Sequence, residues 1–278
     1  MSPSGSSVRP LARSIMAAVA VLALFLTAPA TLAAGHAGGS PTVGYDISYP
    51  QCGGPFPSNV AFGIVGVNKG IVFSPNPCLG TGDGPSELTW AGGVNAQLYA
   101  NTGNPGPVLS THWPNGQTYP LDCNTGTSLG ADTPNCAYDY GWNAAADSYG
   151  TAVTAYVSLG LAAKGATSTP AANVWWLDVE TSNSWRTDVT LNVKALQGAV
   201  AYLQTVSHAG IVGIYSTQYQ WTQITGGTTT AFAGSPSWVA GATTARQAAG
   251  KCGGSGFTGG GVALAQYFAK GFDADLSC

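Results

Sequence analysis

The chain is short of charge. Of its 278 residues nine are Lys or Arg and twelve are Asp or Glu, so charged residues make up 8%, against about 25% in an ordinary globular protein. The formal net charge of −3 excludes a basic nucleic-acid footprint. So few charges also exclude a charged coiled coil. Disorder is excluded as well, because it needs low hydrophobicity and high net charge, and 45% of the residues are hydrophobic. Gly (39) and Pro (17) make the chain rich in loops, yet below the roughly 25–30% that marks low complexity. Histidines number three, none at zinc spacing, and no Cys-x-x-Cys occurs. No metal and no cofactor is therefore expected. No apolar run reaches the roughly 20 residues of a membrane span.

What is there begins with a leader. Arg9 and Arg13 precede the apolar run Ile15–Leu26, and small residues follow through Ala34. This reads as a secretory signal over residues 1–34, cleaved between Ala30 and Ala37. The alternative, an uncleaved anchor, is disfavoured by the short run. A flexible stretch, 35–41, and one domain over 42–278 are expected to follow. The mature protein is expected to be extracellular, free of the membrane and monomeric.

Six cysteines in an exported chain imply disulfides. Fifteen pairings are possible. Nearest neighbours, Cys52–Cys78, Cys123–Cys136 and Cys252–Cys278, would each close a Gly/Pro-rich loop and restrict the unfolded chain.

Seven strands can be read along the chain: 42–47, 61–68, 97–101, 174–179, 211–215, 237–240 and 261–267. Helices at 86–91, 138–161, 189–208 and 218–224, or long loops, separate most of them. Such alternation predicts an α/β fold with a parallel sheet. The length suits a single irregular TIM-type β/α barrel with disulfide-stapled loops. An open doubly wound sheet would need a Gly-rich phosphate turn after the first strand, and Ser48–Gly54 supplies none.

Because acids are scarce, their positions are informative. The two glutamates are Glu87 and Glu180. Glu87 falls in the first turn of a helix, where the macrodipole favours an anion. Glu180 ends the segment Trp175-Trp176-Leu177-Asp178-Val179-Glu180. Asp178 and Glu180, two apart on a strand, share a face. At the carboxyl end of a barrel strand, such acids sit where these folds keep their chemistry. Paired carboxylates push each other's pKa apart, as glycosidic cleavage requires. The structural alternative is that the two acids cap a helix or pair with Arg186. Asp46 ends the first strand. Asp273 and Asp275 follow the seventh, where a charged turn beside a disulfide is the plainer explanation. If first and last strands are neighbours, all these acids converge on one mouth. Tryptophans 113, 142, 175, 176, 185, 221 and 238 supply faces on which sugar rings stack, although a single Trp is more often core.

Two rival readings stand beside this one. Gly126-Thr127-Ser128-Leu129-Gly130 matches a nucleophile elbow, with Asp178 and His208 in esterase order, but the strand–turn–helix context is missing. A barrel that binds glycan without cutting it would carry the same acids as hydrogen-bond acceptors.

The set Gly44-Tyr45-Asp46-Ile47-Ser48, Leu177-Asp178-Val179-Glu180, Gly213-Ile214-Tyr215-Ser216, Ser237-Trp238-Val239-Ala240 and Gln266-Tyr267 with Asp273 resembles glycoside hydrolase family 25. These are secreted lysozymes (N-acetylmuramidases) on an irregular β/α barrel. The resemblance implies a cell-wall polysaccharide as partner and hydrolysis with retention. It implies Glu180 as general acid/base, Asp178 as the carboxylate that supports the transition state, and Asp46 as a further catalytic acid. Tyr99, Tyr215, Trp238, Gln266, Tyr267 and Asp273 (or Asp275) are the expected substrate-binding residues. Two features depart from the pattern. The third strand reads Gln97-Leu98-Tyr99-Ala100-Asn101 in place of a His-aromatic pair, and Thr111–Asn135 is a cross-linked insertion. Both point to a divergent member, acting on peptidoglycan or on a different wall polysaccharide.

Overall fold

A computed structural model describes residues 41–278 apart from 83, 125–129, 162–169 and 171–172. The leader and Ser128 lie outside the described residues.

Eight strands close into a barrel in chain order. They are β1 (Val43–Ile47), β2 (Gly63–Gly66), β3 (Gln97–Asn101), β4 (Val174–Asp178), β5 (Ile211–Ser216), β6 (Ser237–Ala242), β7 (Val262–Ala269) and β8 (Phe272–Ser277). Strands β1 to β7 pair in parallel. Strand β8 runs antiparallel to both β7 and β1 and so closes the ring.

The expectation of seven strands is corrected by β8. Its segment Phe272-Asp273-Ala274-Asp275-Leu276-Ser277 alternates with period two, the strand period. The alternation follows that of β1, whose Ile47 packs outside and whose Asp46 stands opposite Asp273. Leu276 packs outside with Ala242, Ala248 and Ala265, while the aspartates share the face opposite. A two-residue turn makes the hairpin possible: Lys270 (φ 54°) and Gly271 (φ 85°) are both left-handed, as a type I′ turn requires.

Helices α1 (Glu87–Trp90), α2 (Pro134–Ser158), α3 (Val189–Thr205), α4 (Gln218–Thr225) and α5 (Ala245–Ala249) lie outside the barrel. Helix α2 starts earlier than its apolar pattern suggests. The Thr133 side chain accepts from Cys136 N and Pro134 occupies the first turn, which favours nucleation there. No helix among the described residues is long and apolar enough to cross a membrane.

The outer strand faces, including Ile47, Val65, Leu98, Trp175, Leu177 and Ile214, pack against Tyr156, Leu196 and Leu203 of the helices. The barrel interior holds a smaller cluster of Ile64, Trp176, Trp238 and Leu264. Trp175 and Trp176 therefore face opposite ways, as neighbours on a strand must. Trp176 fits only because β5 carries Gly213 beside it: a Cβ there would lie 2.2 Å from the indole.

Disulfides join Cys52–Cys78, Cys123–Cys136 and Cys252–Cys278. The first sits beside Glu87, which is 0% exposed and accepts a 2.6 Å bond from Asn76. Asn76 also donates to the Gly66 carbonyl of β2 at 2.8 Å. Glu87 is thus a buried anchor between loop and strand, more than the dipole partner its position suggests. The sulfurs of Cys52 and Cys78 come within 4.8 Å of its carboxyl, but as a disulfide they offer no thiolate to a metal.

Candidate active site

The carboxyl ends of β1 to β7 share one rim, and the start of antiparallel β8 joins them there. Register sets the depths of the acids. Asp46 of β1 stands opposite Asp273 of β8, and Gly44, one layer lower, stands opposite Asp275. On the far wall Asn101 of β3 and Tyr215 of β5 flank Asp178 of β4.

Strand β4 ends at Asp178, and the chain then curls. Val179 N still donates to Tyr215 O at 3.0 Å and Asn183 N to Glu180 O at 3.2 Å. Trp185 Nε1 donates to the same Glu180 carbonyl at 2.8 Å. The curl holds the half-buried Glu180 at the rim, where its carboxyl meets Gln220 of α4. Gln220 is itself fixed by the Thr181 N–H at 2.6 Å.

Asp178 is 5% exposed. Its Oδ2 accepts from Asn101 Nδ2 at 2.6 Å, and its Oδ1 is buried with no donor. Burial first, then the charges of Glu180 and Asp46, raise its carboxyl well above the usual range. Glu180 is raised by burial, with Gln220 opposing the shift and Asp273 adding to it.

Asp46 is pushed up to about 7 by burial and by Asp273. A polar chain orients it: Tyr215 O–H donates to Gln266 Oε1 at 2.8 Å, and Gln266 Nε2 donates to Asp46 Oδ2 at 2.9 Å. Asp275, 0% exposed, accepts from Trp238 Nε1 at 2.7 Å. Its Oδ2 has no donor, yet its carboxyl lies within hydrogen-bond reach of Asp46. Two ionised carboxylates are acceptors only, so that contact becomes a bond when one of them carries a proton. Asp275 holds it: burial and the Asp46 charge raise it well above the ordinary carboxylate range.

The helix-cap and ion-pair alternatives for Asp178 and Glu180 do not hold. Helix α3 is capped by Asp188, which accepts from Thr190 N. Arg186 forms a two-pronged pair with Asp132, tying the cross-linked insertion to the loop after β4.

The structure gathers Asp46, Asp178, Glu180, Tyr99, Tyr215, Gln266, Asp273 and Asp275 at or below one mouth. The Tyr99 hydroxyl bonds Ser48 and lies within the fields of Asp46 and Asp178. Trp238 is a floor residue at 2% exposure, 4.6 Å from the Tyr215 ring. Tyr267 is the exception. It packs outside the barrel with Ala265 and Leu276, near Cys252 and Cys278, because Gln266 takes the inward position beside it. Trp221 is core beside Phe232, and Trp113 packs on Tyr140 under the insertion. His208 is an exposed residue after α3.

Asn101, Ser48 and Gln220 are site residues that the sequence pattern does not single out. Asn101 has a signal, lying two residues past Tyr99 on one face of β3. Gln220 has none, since only the docking of α4 brings it to the rim. A cavity of about 580 Å³ opens at the opposite end of the barrel between Phe62, Trp176 and Pro236. No ionisable side chain lines it, and barrels of this kind carry their chemistry at the other face.

Residues 147–249 match the family model described as Lysozyme-like protein 1. That stretch contains Asp178, Glu180, Tyr215, Gln220 and Trp238, while Asp46, Gln266, Asp273 and Asp275 lie outside it. Among solved structures the chain is similar to a muramidase from Trichobolus zukalii (16% identity, TM-score 0.48, covering 85% of this chain and 93% of that one). It is also similar to a bacterial lysozyme from Streptomyces coelicolor (16% identity, TM-score 0.46, covering 85% and 91%). No curated protein sequence matches the chain.

Proposed function

We propose that the protein is an exported glycosidase that hydrolyses the glycan of bacterial cell walls in the manner of a muramidase. The observation that carries this reading is the set of carboxyls gathered at the mouth, Asp46, Asp178, Glu180, Asp273 and Asp275, each raised above its ordinary value by burial. The match of residues 147–249 to a lysozyme-like family supports it.

Glu180, at the rim and raised by burial, is the general acid. Its proton goes to the glycosidic oxygen as the bond to the anomeric carbon breaks, and the resulting carboxylate then takes a proton from the water whose oxygen bonds to that carbon. Asp178 is raised in part by the Glu180 charge, which is absent while Glu180 carries the proton; in its ionised form, with one oxygen held by Asn101 and the other without a donor, it stabilises positive charge on the sugar ring. Asp46, aimed by Gln266, and Asp275 below it set the field of the opposite wall. Low overall charge suits work against a wall that carries its own.

The test is a pair of assays on one preparation: co-sedimentation with insoluble peptidoglycan, and release of reducing ends from it. Binding with release supports the proposal. Binding without release assigns the chain to the glycan-binding alternative.

A further inference from the structure

A second groove opens beside the carboxylates. Its walls are the loop after β2, the start of the insertion after β3 and the loop after β4. Ile71, Phe73, Leu109, His112 and Asn183 line it around a cavity of about 190 Å³. Two hydrogen bonds tie its walls to the end of β4 that carries the acids. Thr102, on its wall, donates to the Asp178 carbonyl at 2.5 Å, and Asn183 N donates to the Glu180 carbonyl.

The lining says what kind of ligand fits. Phe73 has φ 58°, a strained conformation for a bulky residue and one that collects at functional sites. That backbone turns the ring onto His112, with centroids 4.1 Å apart and planes 6° from parallel, while Tyr140 meets it edge-on at 5.7 Å. The stack covers one face of the Phe73 ring and one of His112. What stands open is aliphatic: Ile71 is 58% and Leu109 76% exposed. Around them are neutral hydroxyls and amides and the one imidazole. The volume is below the roughly 300 Å³ of a drug-sized pocket, which suits one or two small residues.

Resting on the glycosidase reading above, we propose that this groove is a subsite for the short peptide borne by the wall glycan. Its small aliphatic side chains lie on Ile71 and Leu109, and a peptide carboxylate faces His112. The insertion that departs from the family pattern thereby becomes a specificity element, selecting glycan that still carries peptide.

The test compares glycan strands bearing their peptides with the same strands stripped by an amidase, using the full-length mature protein. Ile71→Asp/Leu109→Asp changes only exposed side chains. It is expected to raise KM at least fivefold on peptide-bearing strands, leaving kcat and all constants on stripped strands unchanged. An equal change on both substrates, or no change on either, overturns the proposal. A second arm separates it from the reading it rests on. Glu180→Gln protein is titrated with an N-acylated Ala–Glu dipeptide by calorimetry. Saturable binding that the double variant loses upholds the groove even if no wall is ever cut. Absence of binding overturns the groove even if hydrolysis stands.

Discussion

Trp238 donates to Oδ1 of Asp275 at 2.7 Å, and this bond fixes a buried carboxyl directly beneath Asp46. Removing the donor leaves a buried acceptor unmatched, at about 1–3 kcal/mol. Trp238→Phe keeps most of the ring and is expected to lower unfolding stability by about that amount in a urea titration. An unchanged midpoint would show that the bond contributes nothing.

The shared proton makes stability depend on pH, and the sign follows from linkage. Asp46, raised to about 7, and Asp275, also raised by burial and by Asp46, bind protons more tightly folded than unfolded. Their contribution is complete below the unfolded carboxylate value of about 4. It is lost as pH rises through 7. Tm is therefore expected to fall between pH 4.5 and 8. In Asp275→Asn the amide can keep both partners without a proton, and the fall should be shallower. A wild-type Tm that climbs steadily over this interval contradicts the shared-proton arrangement.

The relay Tyr215–Gln266–Asp46 predicts a shift in rate rather than in fold. Gln266→Leu removes the donor that favours ionised Asp46, so Asp46 should hold its proton to higher pH. The acidic limb of kcat/KM against pH is expected to move up, with Tm at pH 5 little changed. An unmoved limb means that Asp46 does not act in the reaction.

The insertion is held by Cys123–Cys136, a separation of 13 residues, and by the Arg186–Asp132 pair. A loop of that size is worth about 3 kcal/mol to the folded state in the chain-entropy model. The double Cys→Ala variant is expected to lose about that much in a denaturant titration. A loss under 1 kcal/mol would mean that the insertion's own packing already orders it.

Much of the barrel and its mouth is legible in the order of the residues. Period-two segments ending in Asp46 and in Asp178-Val179-Glu180 reveal both, because strand alternation tells which side chains share a face. Asp273 and Asp275 stand out as candidates, but β8 does not. Its aspartates face in and its apolar residues out, as on β1, but six residues next to a cysteine read equally well as a charged turn beside a disulfide. Tyr267 is misplaced by the sequence pattern for a different reason: adjacency to Gln266 on one strand guarantees opposite faces. Gln220, Ser48 and the Phe73–His112 stack depend on how loops and α4 close over the rim, which no local pattern encodes.

At the centre of the proposed function stands Glu180, as the residue that would give the proton that breaks a glycosidic bond. Purified peptidoglycan digested with wild-type protein and with Glu180→Gln, read by mass spectrometry, tests this role most directly. The expected result is new reducing-end muropeptides from the wild type and a loss of at least a hundredfold in Glu180→Gln, at unchanged Tm at pH 5. Muropeptide release by Glu180→Gln at the wild-type rate would contradict it.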